Sequence, residues 1–296
     1  MYLVDKKMKN KNDKQETKVI WITGASSGIG EALTYAYAQQ GARLILSSRN
    51  KRALERVREN CAHTQSEIHI LPLDLSKLRT LNKKANHAQK IYGKIDVMVH
   101  NAGVASRDLA ANIDLDTDQK IMNTNYFGCV VITKALLPSM LARKSGQFIV
   151  VSSVSGIYGV PKLSSYSASK HALHGFFESL RAEVTKDNIK ITMAIPGFVK
   201  TPITVNALNG DGSKHGKMME VQDRGLNPSH VALTILDAAS KNKEEVLIGK
   251  LELLGVYCKR LFPDLFSKII RNHPIKKIRS IKNFFNLKKR IFKYEH

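Results

Sequence analysis

The residues with the clearest chemical potential are Tyr166 and Lys170, in the run Tyr166-Ser-Ala-Ser-Lys170. Four residues apart at the start of a helical stretch, a phenol and an ammonium share one face and can touch. A tyrosine with a pKa of roughly 10 is a poor base at neutral pH, and a neighbouring cation favours its phenolate. The spacing therefore suits proton transfer. Alone it decides little, because nine tyrosines and 47 basic residues among 296 give about one such pair by chance. Context narrows it. Ser153 closes the apolar run Gln147-Phe-Ile-Val-Val-Ser-Ser153, and the carboxyl end of a strand faces the crevice where open α/β sheets bind ligands.

A second constellation opens the chain's ordered pattern. Val19 to Thr23 is a buried-strand run, followed by Gly24-Ala-Ser26-Ser27-Gly28-Ile29-Gly30 and the start of a helix. Glycines there permit a tight turn and close backbone approach, while the free N–H groups of the helix start face a pyrophosphate. The spacing is G-x-x-x-G-x-G, not the G-x-G-x-x-G fingerprint, and a glycine-rich helix start without a ligand is its bland alternative. At the end of the second strand, where NAD enzymes place an acid for the ribose 2′-hydroxyl, the chain reads Ser47-Ser48-Arg49-Asn50. A guanidinium at that place can grip a 2′-phosphate bidentately, so NADP(H) is expected. The plainer reading of Arg49 is a solvated residue before a helix.

The elements that must position these groups follow from hydrophobic periodicity. Short β-branched runs alternate with longer helical stretches from Lys18 to about Gly249, the pattern of βαβ units. Strands are predicted at 19–23, 43–48, 67–71, 95–100, 147–152, 189–195 and 246–248. Helices are predicted at 29–40, 51–60, 78–92, 126–143, 165–186 and 230–240. The expected fold is α/β: a Rossmann-type, doubly wound, seven-stranded parallel sheet with helices on both faces. Three segments follow: a basic N-terminal tail over 1–17, one nucleotide-binding domain over 18–249, and a basic amphipathic C-terminal extension over 250–296. Within the domain, Thr201 to Asn227 is long, glycine-rich and aperiodic, and is expected to be a mobile lid.

Taken jointly, Gly24, Gly28 and Gly30, Asp74, Asn101-Ala102-Gly103, Asn125, Ser153, Tyr166, Lys170 and Pro196-Gly197 resemble the short-chain dehydrogenase/reductase family in order and spacing. The resemblance implies a catalytic tetrad. Tyr166 would protonate a carbonyl oxygen during reduction, Ser153 would hold that oxygen, Lys170 would bind the nicotinamide ribose and depress the tyrosine pKa, and Asn125 would anchor a relay water. It also implies cofactor contacts from Asp74 at the adenine, from Asn101 to Gly103 beside the dinucleotide, and from Pro196, Gly197, Val199 and Thr201 at the nicotinamide. Each residue has a bland alternative: Asn125 and Asp74 as helix caps, Ser153 as a turn residue. Arg49 with the C-terminal tail is most similar to the branch holding hydroxysteroid dehydrogenases of the 11β type and dehydrogenase/reductase member 7 proteins. That branch implies an apolar, lipid- or steroid-like ketone, aldehyde or alcohol as substrate and a dimer or tetramer as assembly. A counterpart to its frequent N-terminal membrane anchor is not expected from these residues.

Composition bounds the rest. Cys61, Cys129 and Cys258 show no metal-ligand spacing, which suggests free thiols in a reducing, cytoplasmic setting and no metal. The first eighteen residues hold no apolar signal-peptide core, and no apolar run in the sequence reaches the roughly 20 residues of a membrane span. The net charge of +22 is uneven, with thirteen Lys/Arg against three acids from Lys250 onward. That extension is expected to pack over the substrate opening or a second subunit; peripheral contact with an anionic membrane through Lys276, Lys277, Arg279, Lys282, Lys288, Lys289 and Arg290 is the alternative. No nucleic-acid-binding motif accompanies the charge, so specific nucleic-acid recognition is not expected. An NADP(H)-binding regulator without catalysis is the competing functional class.

Overall fold

The computed structural model describes residues 17–271. Its core is a seven-stranded, all-parallel sheet in the order β3-β2-β1-β4-β5-β6-β7. The strands are β1 (Val19–Thr23), β2 (Arg43–Ser47), β3 (Ile68–Ile70), β4 (Val97–His100), β5 (Gly146–Val151), β6 (Ile189–Pro196) and β7 (Glu245–Ile248). Crossover helices α1 (Gly28–Gln39), α2 (Lys51–Glu59), α3 (Leu78–Ile91), α4 (Leu115–Met122), α5 (Gly128–Arg143), α6 (Ser164–Val184), α7 (Glu220–Asp223) and α8 (Pro228–Ser240) connect them. Beyond β7 lie α9 (Leu253–Leu261) and α10 (Pro263–Arg271).

Strand residues alternate between two helix layers, as a period of two requires. Ile20 and Ile22 of β1 pack with α1 and α8 on one side, while Val19 and Trp21 face the α3, α5 and α6 layer on the other. Both faces of the sheet are thereby covered, which is why its strands are continuously apolar. Trp21 is fully buried, and its indole N–H donates to Ser47 Oγ at 2.9 Å. The chain order reverses between β1 and β4, and that switch point opens a crevice at the strands' carboxyl ends.

The expected strands are all present, differing at their ends. The helix expected from Tyr126 is different: it begins at Leu115, and α4, a π turn at Asn123–Phe127 and α5 form one continuous helix to Arg143. The asparagine-rich run Asn123-Thr-Asn125 reads locally as a cap, but packing against α6 and α3 carries the helix through it. This corrects the expectation that no segment is long enough to span a bilayer, since Leu115–Arg143 has 29 residues and a mean hydropathy of 1.3 over its most apolar window. Its apolar side is used inside the fold, where Ile121, Cys129, Ile132, Leu136 and Met140 are buried. The 201–227 segment is irregular apart from the short helix α7, and is fastened by parallel bridges of Leu208 with Ser106 and of Leu226 with Val199. The lysines and arginines assigned to membrane contact in 276–290, and the N-terminal tail as far as residue 16, lie outside the described residues.

Candidate active site

The glycine turn between β1 and α1 is shaped by close approach. Gly24 and Gly28 have φ of +67° and +59°, a conformation that L side chains rarely adopt, and a Cβ on Gly28 would come within 2.8 Å of Thr201 Cγ2. A Cβ on Gly30 would collide with the Gly24 carbonyl and the Asn101 amide. Asn101 Nδ2 donates to the carbonyls of Thr23 and Gly24 at 3.0 and 3.2 Å, locking the loop after β4 against the turn. Ser27 precedes α1 without a side-chain cap, so the first-turn N–H groups stay available to an anion.

These pieces line one cavity of about 1190 Å³ along the carboxyl ends of the strands. Gly24, Ser26, Ser27, Gly28 and Ile29 form its floor; Ser48, Arg49 and Asp74 stand at one end; Asn101, Ala102 and Gly103 form a wall. Ser153, Tyr166 and Lys170 line it as well, as do Pro196, Gly197, Val199 and Thr201. Of the residues singled out in the sequence, Gly30 and Asn125 alone do not line it. Gly30 is spent on closing the turn. Asn125, fully buried in the π turn, is no helix cap: its Oδ1 accepts from Val104 N at 2.8 Å, and its Nδ2 donates to Val104 O and Ser169 Oγ, each at 2.9 Å. It therefore fixes the wall beside Gly103. Asp74 reaches the pocket with Oδ1 already held by the N–H and hydroxyl of Ser76, at 3.0 and 2.7 Å.

Tyr166 and Lys170 share a face of α6, with Lys170 Nζ 5.7 Å from the centroid of the Tyr166 ring. Lys170 Nζ donates to the Val151 carbonyl at 2.8 Å, which ties α6 to the end of β5. Ser153 follows β5 and caps a 3-10 turn, Val154–Gly156, through the Ser155 N–H at 3.2 Å. Burial pushes the Tyr166 phenol up to about 12, with the Ser153 hydroxyl pulling in the other direction. Burial also brings Lys170 down to about 8, so the ammonium that was to activate the phenol is itself destabilised by the same apolar wall.

The far wall is made by the C-terminal extension, for which a place over the substrate opening is one expectation, but the residues that make it are not read from the sequence. Val154 and Tyr158 meet Phe266, Ile269 and Ile270 of α10, and the Tyr158 and Phe266 rings pack edge-to-face at 5.1 Å. The 266, 269, 270 spacing marks an apolar helix face, but only folding shows that it covers the pocket. Glu252, also missed, accepts from the Phe198 N–H at 3.0 Å and supports the Pro196–Gly197 turn.

Crevice, glycine cradle and buried tyrosine–lysine pair define a nicotinamide-dinucleotide oxidoreductase fold. A family model described as short chain dehydrogenase matches residues 18–211, and the chain belongs to the short-chain dehydrogenase/reductase family. Among its curated relatives, the dehydrogenase/reductase SDR family protein 7-like of Anopheles gambiae is 43% identical over 260 residues, covering 86% of this chain and 82% of the relative. A short chain dehydrogenase/reductase from Burkholderia phymatum in complex with NAD superposes with a TM-score of 0.74 at 23% identity, covering 84% of this chain and 95% of that one. An alcohol dehydrogenase from Thermococcus sibiricus complexed with 5-hydroxy-NADP superposes with a TM-score of 0.68 at 26% identity, covering 79% and 97%.

Proposed function

We propose that this chain is an NADP(H)-dependent oxidoreductase that interconverts a ketone or aldehyde and an alcohol on an apolar substrate. The observation that carries the reading is the convergence of the Tyr166 phenol, the Ser153 hydroxyl and Lys170 on one pocket whose floor is a glycine turn too tight for side chains. A bound reduced nicotinamide would supply the hydride to the carbonyl carbon. Tyr166, protonated at neutral pH because burial raises it, gives its proton to the carbonyl oxygen as negative charge develops there. Ser153 donates a hydrogen bond to the same oxygen. Lys170, close to the ring and charged below about pH 8, favours the phenolate left behind.

Arg49 supports NADP(H) over NAD(H): it stands at the pocket end beyond β2, and among the described residues no acid pairs with it. The apolar far wall supports a lipid-like substrate. Leu115 and Phe127, exposed at 68% and 44%, support a homo-oligomer, and the three buried free cysteines support a reducing, cytoplasmic setting. Exposed Tyr257 and Leu261 beside Lys259 and Arg260 on α9 support contact with an anionic membrane surface.

The test is NADPH oxidation with a panel of medium-chain ketones and aldehydes. Tyr166→Phe is expected to lower turnover by about 100- to 10,000-fold, the usual worth of a general acid, while NADPH binding by calorimetry persists. A folded Tyr166→Phe protein with wild-type turnover overturns the mechanism; tight NADPH binding without turnover of any carbonyl marks a nucleotide sensor.

A further inference from the structure

We infer that the lid-side rim of the pocket selects a substrate bearing an anionic group, carboxylate or phosphate, close to its reacting carbonyl; the inference rests on the reading of Tyr166 as proton donor. Three cations line that side of the cavity: Arg107 from the loop after β4, Lys162 from the loop before α6, and Lys214 from the 201–227 segment. Backbone bonds bring their three segments together. Arg107 N–H donates to the Leu208 carbonyl at 2.8 Å, Asp108 N–H donates to the Lys162 carbonyl at 3.2 Å, and Leu208 bridges antiparallel to Lys214.

Among the described residues no carboxylate lies within ion-pair distance of any of the three. Asp108, the adjoining acid, accepts at Oδ1 from the Leu109 N–H and Asn112 and at Oδ2 from the Gly210 N–H; its charge reaches Lys162, so Arg107 and Lys214 carry the inference first. The acids that do line the cavity are committed elsewhere, Asp74 to Ser76 and Glu252 to Phe198.

The cluster adjoins the chemistry. Ala105, Tyr166 and Ala207 form one small buried cluster with Leu163; Arg107 stands two residues from Ala105, Lys162 one from Leu163, and Lys214 is tied in through its neighbour His215, whose N–H donates to the Ala207 carbonyl at 2.8 Å. The apolar cluster of Phe266 and Ile270 includes none of these cations, so one cavity offers an anion rim and an apolar wall as separate surfaces. The ligand this geometry fits is an amphiphile: an alkyl or polycyclic body toward α10, a carbonyl at Tyr166, and a carboxylate or phosphate toward Arg107 and Lys214.

The experiment uses the full chain loaded with NADPH and matched probes: γ-ketododecanoate against its methyl ester, and the phosphate monoester of a long-chain α-hydroxyketone against the unphosphorylated ketone. The expected KM for each anionic probe is at least about tenfold below that of its neutral partner, the low end for one charge-assisted hydrogen bond. Arg107→Gln with Lys214→Gln, and exposed Lys214→Gln alone, should erode that ratio, and added salt should do the same. Whichever anionic pair shows the larger ratio separates phosphate from carboxylate. Equal KM values within pairs, or a ratio untouched by both variants, overturn the inference while leaving ketone reduction intact. If no probe turns over, binding of octyl phosphate against octanol to the same NADPH complex decides: a preference lost in the double variant upholds the rim, and no preference ends it.

Discussion

Burial acts on Tyr166 and Lys170 in opposite senses, raising the phenol to about 12 and lowering the ammonium to about 8. The tyrosine thus keeps its proton through the neutral range, whereas the lysine loses its own as pH rises through about 8. Ketone reduction followed from about pH 6 to 10 is expected to stay level up to about pH 8 and to decline above it. A decline centred below pH 7 would remove Lys170 as its cause. Arg49 carries a separate prediction. Replacing it with Glu puts a carboxylate where a 2′-hydroxyl could be bonded and a 2′-phosphate is repelled. The ratio of kcat/KM for NADPH over NADH should fall by at least about tenfold, measured side by side on one ketone. Both groups were visible as residue types, but the direction of the Tyr166 shift was not, because desolvation depends on the wall around a group and not on its neighbour along a helix.

The continuous helix Leu115–Arg143 shows how an element turns a weak local signal into a site. A π turn widens the helix at Asn123–Phe127 and delivers Asn125 to the backbone of Val104. One side chain satisfies both backbone polar groups of that half-buried residue. Asn125→Ala removes both partners, and stability to urea is expected to drop by about 2–4 kcal/mol at unchanged m-value, with turnover falling because the Gly103–Val104 wall loosens. A loss below about 0.5 kcal/mol would mean that water replaces the amide there. From sequence, Asn125 looked equally like a cap, since short polar side chains compete with helical backbone. Its real position needed the packing of α3 and α6 against the helix.

Across the whole molecule, the sheet encloses a histidine that acid must charge. His100 ends β4 fully buried between Phe148 and Phe177, with Nε2 bonded to Thr133 Oγ1 at 2.8 Å and Nδ1 unpartnered among the described residues. Burial holds it at about 3, down from 6.5, so it stays neutral in the fold while the unfolded chain takes up a proton. Stability contributed this way is whole above pH 6.5 and is lost toward pH 3, by about 1.4 kcal/mol per unit. Urea unfolding at pH 7 and pH 5 should show a steeper loss for the wild type than for His100→Asn, and equal slopes would reject the assignment.

By itself the amino-acid sequence determined the order and type of the seven strands, the glycine turn after the first, and the four groups Asn125, Ser153, Tyr166 and Lys170 as candidates. Those signals are local, because strand period, turn chemistry and one-turn spacing are written within a few residues. The tertiary structure decided which of the places open to the C-terminal extension α10 takes, that Arg107, Lys162 and Lys214 line one cavity, and that burial raises Tyr166. Each of these depends on segments far apart in the chain meeting in a water-poor space, where charge is costly and apolar surface is covered by whatever element the fold brings to it.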